Sequence, residues 1–289
     1  MPPATTHKLV IGCGYLGRRV ALKWLADGHT VYATTRSPDR AEELAADGLI
    51  PLVVDISRPE LAPLPAAATV LFAVGHDRQS GQSVHDVYVG GMANVLDTIV
   101  EPPERFLFTS STGVYGQTDG SWIDEQSPCE PTRLGGRACL KAERHLAAHR
   151  LGSRAIVLRL AGLYGPGRIP RLAKLRAGEP IAAAADGQMN LIHVDDAAQC
   201  ILAAERMLTP PATLLISDGH PVTRREYHRH LAELAAAPPP SFVPPAPNTH
   251  AAARATSSKR ISNRQMQQQL NIQLQHPTYQ HGLRAIIRE

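Results

Sequence analysis

The chain has 289 residues, 43% of them hydrophobic, and a formal net charge of +4. That length suits one large α/β domain or one domain with a smaller cap, and the scattered basic residues form no stripe, which argues against a nucleic-acid partner and fits anionic small molecules. Cys13, Cys129, Cys139 and Cys200 show no metal-ligand spacing, Met1–Thr6 lacks a secretory pattern, and no apolar run approaches the roughly eighteen residues of a membrane span, so a reduced, cytoplasmic protein without a membrane partner is expected.

Lys8-Leu9-Val10-Ile11 reads as a short buried strand, followed by the glycine turn Gly12-Cys13-Gly14-Tyr15-Leu16-Gly17 and a helix running through Leu25. In this strand–turn–helix context Gly12 supplies a sharp reversal, Gly14 admits a pyrophosphate against bare backbone, and Gly17 lets the helix pack close to its strand. The helix N-terminus then faces the anion, with Tyr15 and Leu16 in the turn.

Val31–Arg36 forms a second strand that stops at Ser37-Pro38. An acid at the end of this strand would accept from a ribose 2′-hydroxyl, whereas an arginine accommodates a 2′-phosphate; Arg36 stands there, which favours NADP, with NAD as the alternative. A short helix over 39–47, a strand over 49–54 ending at Asp55, and a strand over 69–74 ending at Gly75 follow. Apolar strands alternating with helices predict a parallel sheet covered on both faces. Asp55 is a candidate adenine contact, and an ordinary loop aspartate is an equal reading.

Residues 83–100 carry Val84, Val87, Tyr88, Met92, Val95, Leu96 and Ile99 at helical spacing, and Pro102-Pro103 ends the helix. This helix is a candidate homodimer contact, although core burial accounts for the same residues. The strand Arg105–Phe108 runs into Thr109-Ser110-Ser111-Thr112-Gly113-Val114-Tyr115-Gly116, placing hydroxyls at a strand's carboxyl end, where ligands bind in open α/β sheets.

The glycine turn, SSTGVYG, Leu158–Arg168 (LRLAGLYGPGR) and Asn190–Ala197 (NLIHVDDA) together resemble the extended short-chain dehydrogenase/reductases, the NAD-dependent epimerase/dehydratase family, and within it the atypical YeeZ-like bacterial branch. The match runs over about residues 8–220, with weaker echoes in Ser258–Asn263 and Pro277–Tyr279. The resemblance implies an α/β fold: a Rossmann-type doubly wound parallel sheet (1–165) with a smaller C-terminal substrate lobe (166–289) that returns some segments to the sheet. It also implies that Ser111, helped by Thr112, binds the reacting oxygen, and that Lys141 orients the nicotinamide ribose. The tyrosine that such proteins place four residues before this lysine is missing, since Gly136-Arg137 stands there. An arginine stays protonated far above neutral pH and cannot exchange a proton as a phenol does. Arg137 could instead share a helix face with Lys141 and hold an anion, and Tyr164 and Arg168 are placed by the resemblance beside the substrate.

Asp195 is read as a helix N-cap and His193 as structural, so no metal is expected at Asn190–Asp196; His145 and His149 lack a third ligand. The Ala/Pro-rich stretch 235–247 reads as a linker or irregular wrap. The expected function is an NAD(P)-dependent oxidoreductase or epimerase-type enzyme on a polar, nucleotide- or phosphate-bearing small molecule. The alternatives are a catalytically silent redox sensor or regulator and a sugar-nucleotide binding module.

Overall fold

The computed structural model describes residues 6–77, 79–247, 249, 252, 255 and 257–288. The chain divides into two compact units, the first comprising Met1–Ser111, Leu134–Arg159 and Ala198–Leu214, the second Thr112–Arg133, Leu160–Ala197 and Leu215–Glu289. The second unit therefore begins just after Ser111, earlier than residue 166, and the last ten residues of the helix over 194–207 return to the first.

Seven parallel strands form the central sheet: β1 (His7–Ile11), β2 (Thr30–Thr35), β3 (Ile50–Val53), β4 (Thr69–Phe72), β5 (Arg105–Ser111), β6 (Ala155–Leu160) and β7 (Ala212–Ile216), in the order β7-β6-β5-β4-β1-β2-β3. β1 lies between β2 and β4, with Val10 opposite Ala33 on one side and Leu71 on the other. Four of its five residues are buried, as expected for an interior strand covered on both faces. β4 and β5 run in register from Thr69–Arg105 to Phe72–Phe108, and the last pair meets edge to face with ring centroids 5.6 Å apart.

The helices associated with this sheet are α1 (Gly17–Ala26), α2 (Pro38–Ala46), α3 (Gly91–Thr98), α4 (Leu134–Ala148) and α5 (Val194–Met207). Ser37 caps α2 by accepting from Arg40 N, with Pro38 in the first turn, where its missing N–H costs nothing. The periodic stretch 83–100 is helical but not uniformly α: Asp86–Gly90 winds as a π turn that leads into α3. Leu9, Ile11, Phe72, Met92, Leu96, Phe106, Phe108 and Leu146 belong to the main core.

One charge inside this unit is satisfied across the whole chain. Lys8 Nζ meets Glu205 Oε1 at 2.6 Å, while Thr69 Oγ1 and Trp24 Nε1 also donate to that carboxylate. Each buried polar group has a partner, so the network anchors α5 to β1 without an orphaned charge.

The second unit is built from short strand pairs: Gly162–Tyr164 with Leu191–His193, Gln188–Met189 with Val222–Thr223, Trp122–Ile123 with Arg260–Ile261, and Ile181–Ala182 with Phe242–Val243. The last pair puts a strand inside the stretch that composition marks as irregular. The unit also contains a short helix, Leu172–Arg176, and helices α6 (Arg224–Leu234), α7 (Arg264–Leu270) and α8 (Tyr279–Arg288), and α6 starts with a full capping box between Thr223 and Glu226. Its core contains Tyr164, Ile181, Leu191, Tyr227, Leu231, Tyr279 and Leu283. Among the described residues no helix is long and apolar enough to cross a membrane.

Candidate functional site

The sheet winds in opposite directions from β1, and ligands of such sheets bind at that switch point, beyond the strands' carboxyl ends. The glycine turn lies there. Gly12 has φ +86°, and a Cβ on it would stand 2.8 Å from Val74 Cα. A Cβ on Gly17 would stand 2.5 Å from Gly12 O. Gly14 differs: no neighbouring atom lies within 4 Å of the position its Cβ would take. Two glycines thus serve the fold, and the third leaves open space in front of α1.

Thr34 fixes the turn by accepting from Gly12 N through Oγ1 at 2.9 Å and from Cys13 N through its carbonyl at 3.1 Å. The N-cap position of α1 is Leu16, whose side chain makes no capping hydrogen bond, and Arg18 N donates to Gly14 O at 3.0 Å. Arg19 lies over the Tyr15 ring, 4.5 Å from its centroid. Burial pushes the Cys13 thiol up to about 12, which makes it a packing group and not a nucleophile.

Arg36 and Asp55, the two residues expected on the adenosine side, are joined by the Gln82 side chain, which no sequence motif singles out. Gln82 Oε1 accepts from Arg36 Nη1 at 3.1 Å, while Gln82 Nε2 donates to Asp55 Oδ2 at 3.2 Å. Asp77 adds a long contact to Arg36 Nη2 at 3.5 Å. For Asp55, burial acts to raise the carboxyl, but hydrogen bonds from Ser57 and Gln82 and the charge of Arg36 outweigh it and hold the group below the usual carboxylate range.

Ser111 ends β5 and Thr112 opens a 3₁₀ turn over Thr112–Val114. The face of α4 turned toward β5 and β6 is marked by Glu143, which accepts from Ser110 Oγ, from Arg159 Nη2 at 2.7 Å and from Arg159 Nε at 3.1 Å. Cys139, one turn earlier on that face, is also buried. Lys141 is exposed, and its Nζ lies 3.1 Å from His85 Nε2; Arg137 is exposed as well. Arg137 and Lys141, four apart on α4, share a face of the helix, as their spacing predicts.

In the second unit Tyr164 is fully buried. Burial first, then the carboxylates of Asp218 and Asp196, push its phenol far up, and its hydroxyl donates to Thr278 O at 3.4 Å. Its surroundings are those of a core residue. Arg168 is exposed on the Gly165–Arg168 turn.

The helix α5 begins at Val194, so Asp195 sits inside its first turn instead of capping it, and Asp195 N donates to His193 Nδ1 at 3.3 Å. Asp196 accepts the backbone N–H groups of Gln275 at 2.7 Å and His276 at 2.9 Å. His193, Asp196 and His276 bring potential ligand atoms within 4.8 Å of one another. Both Asp196 oxygens already fasten the chain before α8, which gives this trio a structural task. His276 is too distant in sequence for spacing to have suggested it.

The profile of the NAD dependent epimerase/dehydratase family matches residues 9–214. The chain belongs to this family. Protein YeeZ of Escherichia coli K12 is 30% identical over 249 residues, covering 81% of this chain and 85% of YeeZ. A conserved protein from Silicibacter pomeroyi superposes with a TM-score of 0.79 at 29% identity, covering 98% of this chain and 99% of that one. MoeE5, whose structure contains UDP-glucose and NAD, shares the fold at a TM-score of 0.77 and 22% identity, with 98% and 97% covered.

Proposed function

We propose that this chain is an NAD(P)-dependent oxidoreductase or epimerase-type enzyme acting on a polar, nucleotide-linked small molecule. The observation that carries the reading is the open space at Gly14 in front of an uncapped helix, at the switch point of a parallel sheet. In this reading Gly12, Gly14, Tyr15, Leu16 and Gly17 hold the pyrophosphate, Asp55 lies toward the adenine, and Arg36 receives a 2′-phosphate, which makes NADP the preferred cofactor. Bound NAD(P) supplies hydride chemistry, and the protein's part is binding and orientation. Ser111 and Thr112 donate hydrogen bonds to the reacting oxygen. MoeE5, crystallised with UDP-glucose, lends support to the nucleotide-linked substrate.

A second reading, a silent dinucleotide-binding regulator, is favoured by one specific observation. No tyrosine stands four residues before Lys141, whose Nζ lies 3.1 Å from His85 Nε2. The two readings separate in an assay of purified protein with UDP-glucose, UDP-glucuronate and related sugar nucleotides, following absorbance at 340 nm and the sugar products by NMR. Turnover that Ser111→Ala lowers by ~100-fold supports the enzyme. Dinucleotide binding without turnover of any sugar nucleotide favours the regulator.

A further inference from the structure

The end of β2 leads into an arginine and no acid, yet the fold brings an acid to the same spot from the chain beyond β4. Asp77 Oδ2 lies 3.5 Å from Arg36 Nη2, and Gln82 Oε1 takes Arg36 Nη1 at 3.1 Å, so both arms of the guanidinium fork are engaged by residues beyond β4. The fork expected to receive a 2′-phosphate holds the protein's own carboxylate.

The residues around this contact are tied down at several points. Asp77 Oδ1 accepts from Gln79 N at 2.9 Å, and Asp77 O accepts from Ser80 Oγ at 2.7 Å. His76 N donates to the Tyr88 hydroxyl at 3.2 Å, and the His76 ring lies 2.9 Å, through Nε2, from Gln82 O. Gln82 Nε2 also donates to Ser57 Oγ, and Ser57 in turn donates to Asp55 Oδ1 through its hydroxyl at 2.6 Å and its N–H at 3.1 Å. The backbone turn therefore uses one oxygen of Asp77 and presents the other to Arg36.

Two opposite charges at this place favour different cofactors. A carboxylate accepts from a free ribose 2′-hydroxyl, whereas an arginine accommodates a 2′-phosphate. Asp77 acts against the phosphate in two ways: it occupies one arm of the fork, and its charge repels a second anion brought there. The side chains of Arg36 and Asp77 are 43% and 50% exposed, and their contact is long, so the pair is weak and gives way to a more highly charged phosphate.

We propose that Asp77 sets the cofactor selectivity of this chain: it accepts from the ribose 2′-hydroxyl of NAD(H) and competes with the 2′-phosphate of NADP(H) for Arg36. It thereby holds down the preference for the phosphorylated cofactor that Arg36 creates. The proposal rests on the dinucleotide site of the enzyme reading above and adds to it the residue that opposes Arg36.

The test is calorimetric titration of NADP⁺ and NAD⁺ into the unaltered protein, Asp77→Asn, Arg36→Ala and the double variant, with circular dichroism to check that each is folded. Asp77→Asn keeps an acceptor for Gln79 N and removes the charge. It is expected to tighten NADP⁺ by about threefold or more while NAD⁺ holds or weakens, the scale of releasing an exposed ion pair and a like-charge repulsion. In the Arg36→Ala background the same substitution is expected to give a smaller gain, because the fork for which Asp77 competes is gone. An unchanged ratio of NADP⁺ to NAD⁺ affinity in Asp77→Asn, or a gain of equal size without Arg36, overturns the role of Asp77 and leaves the dinucleotide site standing. Failure of both dinucleotides to bind the folded, unaltered protein overturns the dinucleotide reading and this proposal with it.

Discussion

Glu143 and Arg159 form a buried two-point ion pair, with side chains 8% and 10% exposed and a shortest contact of 2.7 Å. Ser110 donates to the same carboxylate, so α4 is locked to β5 and β6 in one rotation about its axis. That rotation puts Cys139 and Glu143 on the buried face and leaves Lys141 exposed.

Removing one partner of such a pair leaves the other buried and uncompensated. Glu143→Ala is therefore expected to destabilise the first unit by about 3–5 kcal/mol. Lys141→Ala, on the exposed face, is expected to change stability by less than about 0.5 kcal/mol. Urea denaturation of both variants measures the contrast, and equal effects would contradict the rotational lock.

The three glycines of the turn separate fold from binding. Gly17→Ala and Gly12→Ala push a Cβ against backbone at 2.5 and 2.8 Å, so each is expected to lower stability by roughly 1–3 kcal/mol. A Cβ at Gly14 has no neighbouring atom within 4 Å, so Gly14→Val is expected to melt within a few degrees of the unaltered protein. Thermal unfolding of the three variants checks the order.

Much of the first unit was legible in the sequence, because uninterrupted apolar strands such as Leu9–Ile11 and caps such as Ser37-Pro38 are local signals. The second unit was less so. Phe242–Val243 pairs with Ile181–Ala182 across about sixty residues, and nothing local in an Ala/Pro-rich stretch announces a partner. The same distance effect hid Gln82 between Arg36 and Asp55, and His276 beside His193. Asp195 was misread by two positions, because α5 starts at Val194 and the residue at its N-cap is His193.

Arg36 is the residue on which cofactor choice turns. Arg36→Ala is expected to weaken NADP⁺ binding by about 10- to 100-fold, the effect of losing a charge-assisted hydrogen bond of roughly 1.5–3 kcal/mol. NAD⁺ affinity should stay within about threefold, since it lacks the 2′-phosphate that such an arginine accommodates. Equal losses for both cofactors would remove Arg36 from the selective role.

Asp218 gives the second unit a pH signature. Burial raises its carboxyl to about 7, against the opposing backbone N–H groups of His220 and Tyr279. Between the unfolded value near 3.8 and about 7, the folded state keeps a proton that the unfolded chain has released. The contribution is thus fully present below the lower value and is lost as pH rises toward the upper, by up to about 4 kcal/mol. Asp218→Asn should flatten that decline and raise stability at pH 8, as measured by urea denaturation between pH 4 and 8. An unchanged pH profile would contradict a proton held at this carboxyl.

The dinucleotide site is the centre of the account, and calorimetric titration with NADP⁺, NADPH, NAD⁺ and NADH tests it most directly, on the unaltered protein and on Gly14→Val. Saturable binding that favours the phosphorylated pair, and that Gly14→Val abolishes at unchanged melting temperature, is the predicted result. Failure of all four to bind the folded, unaltered protein would contradict it.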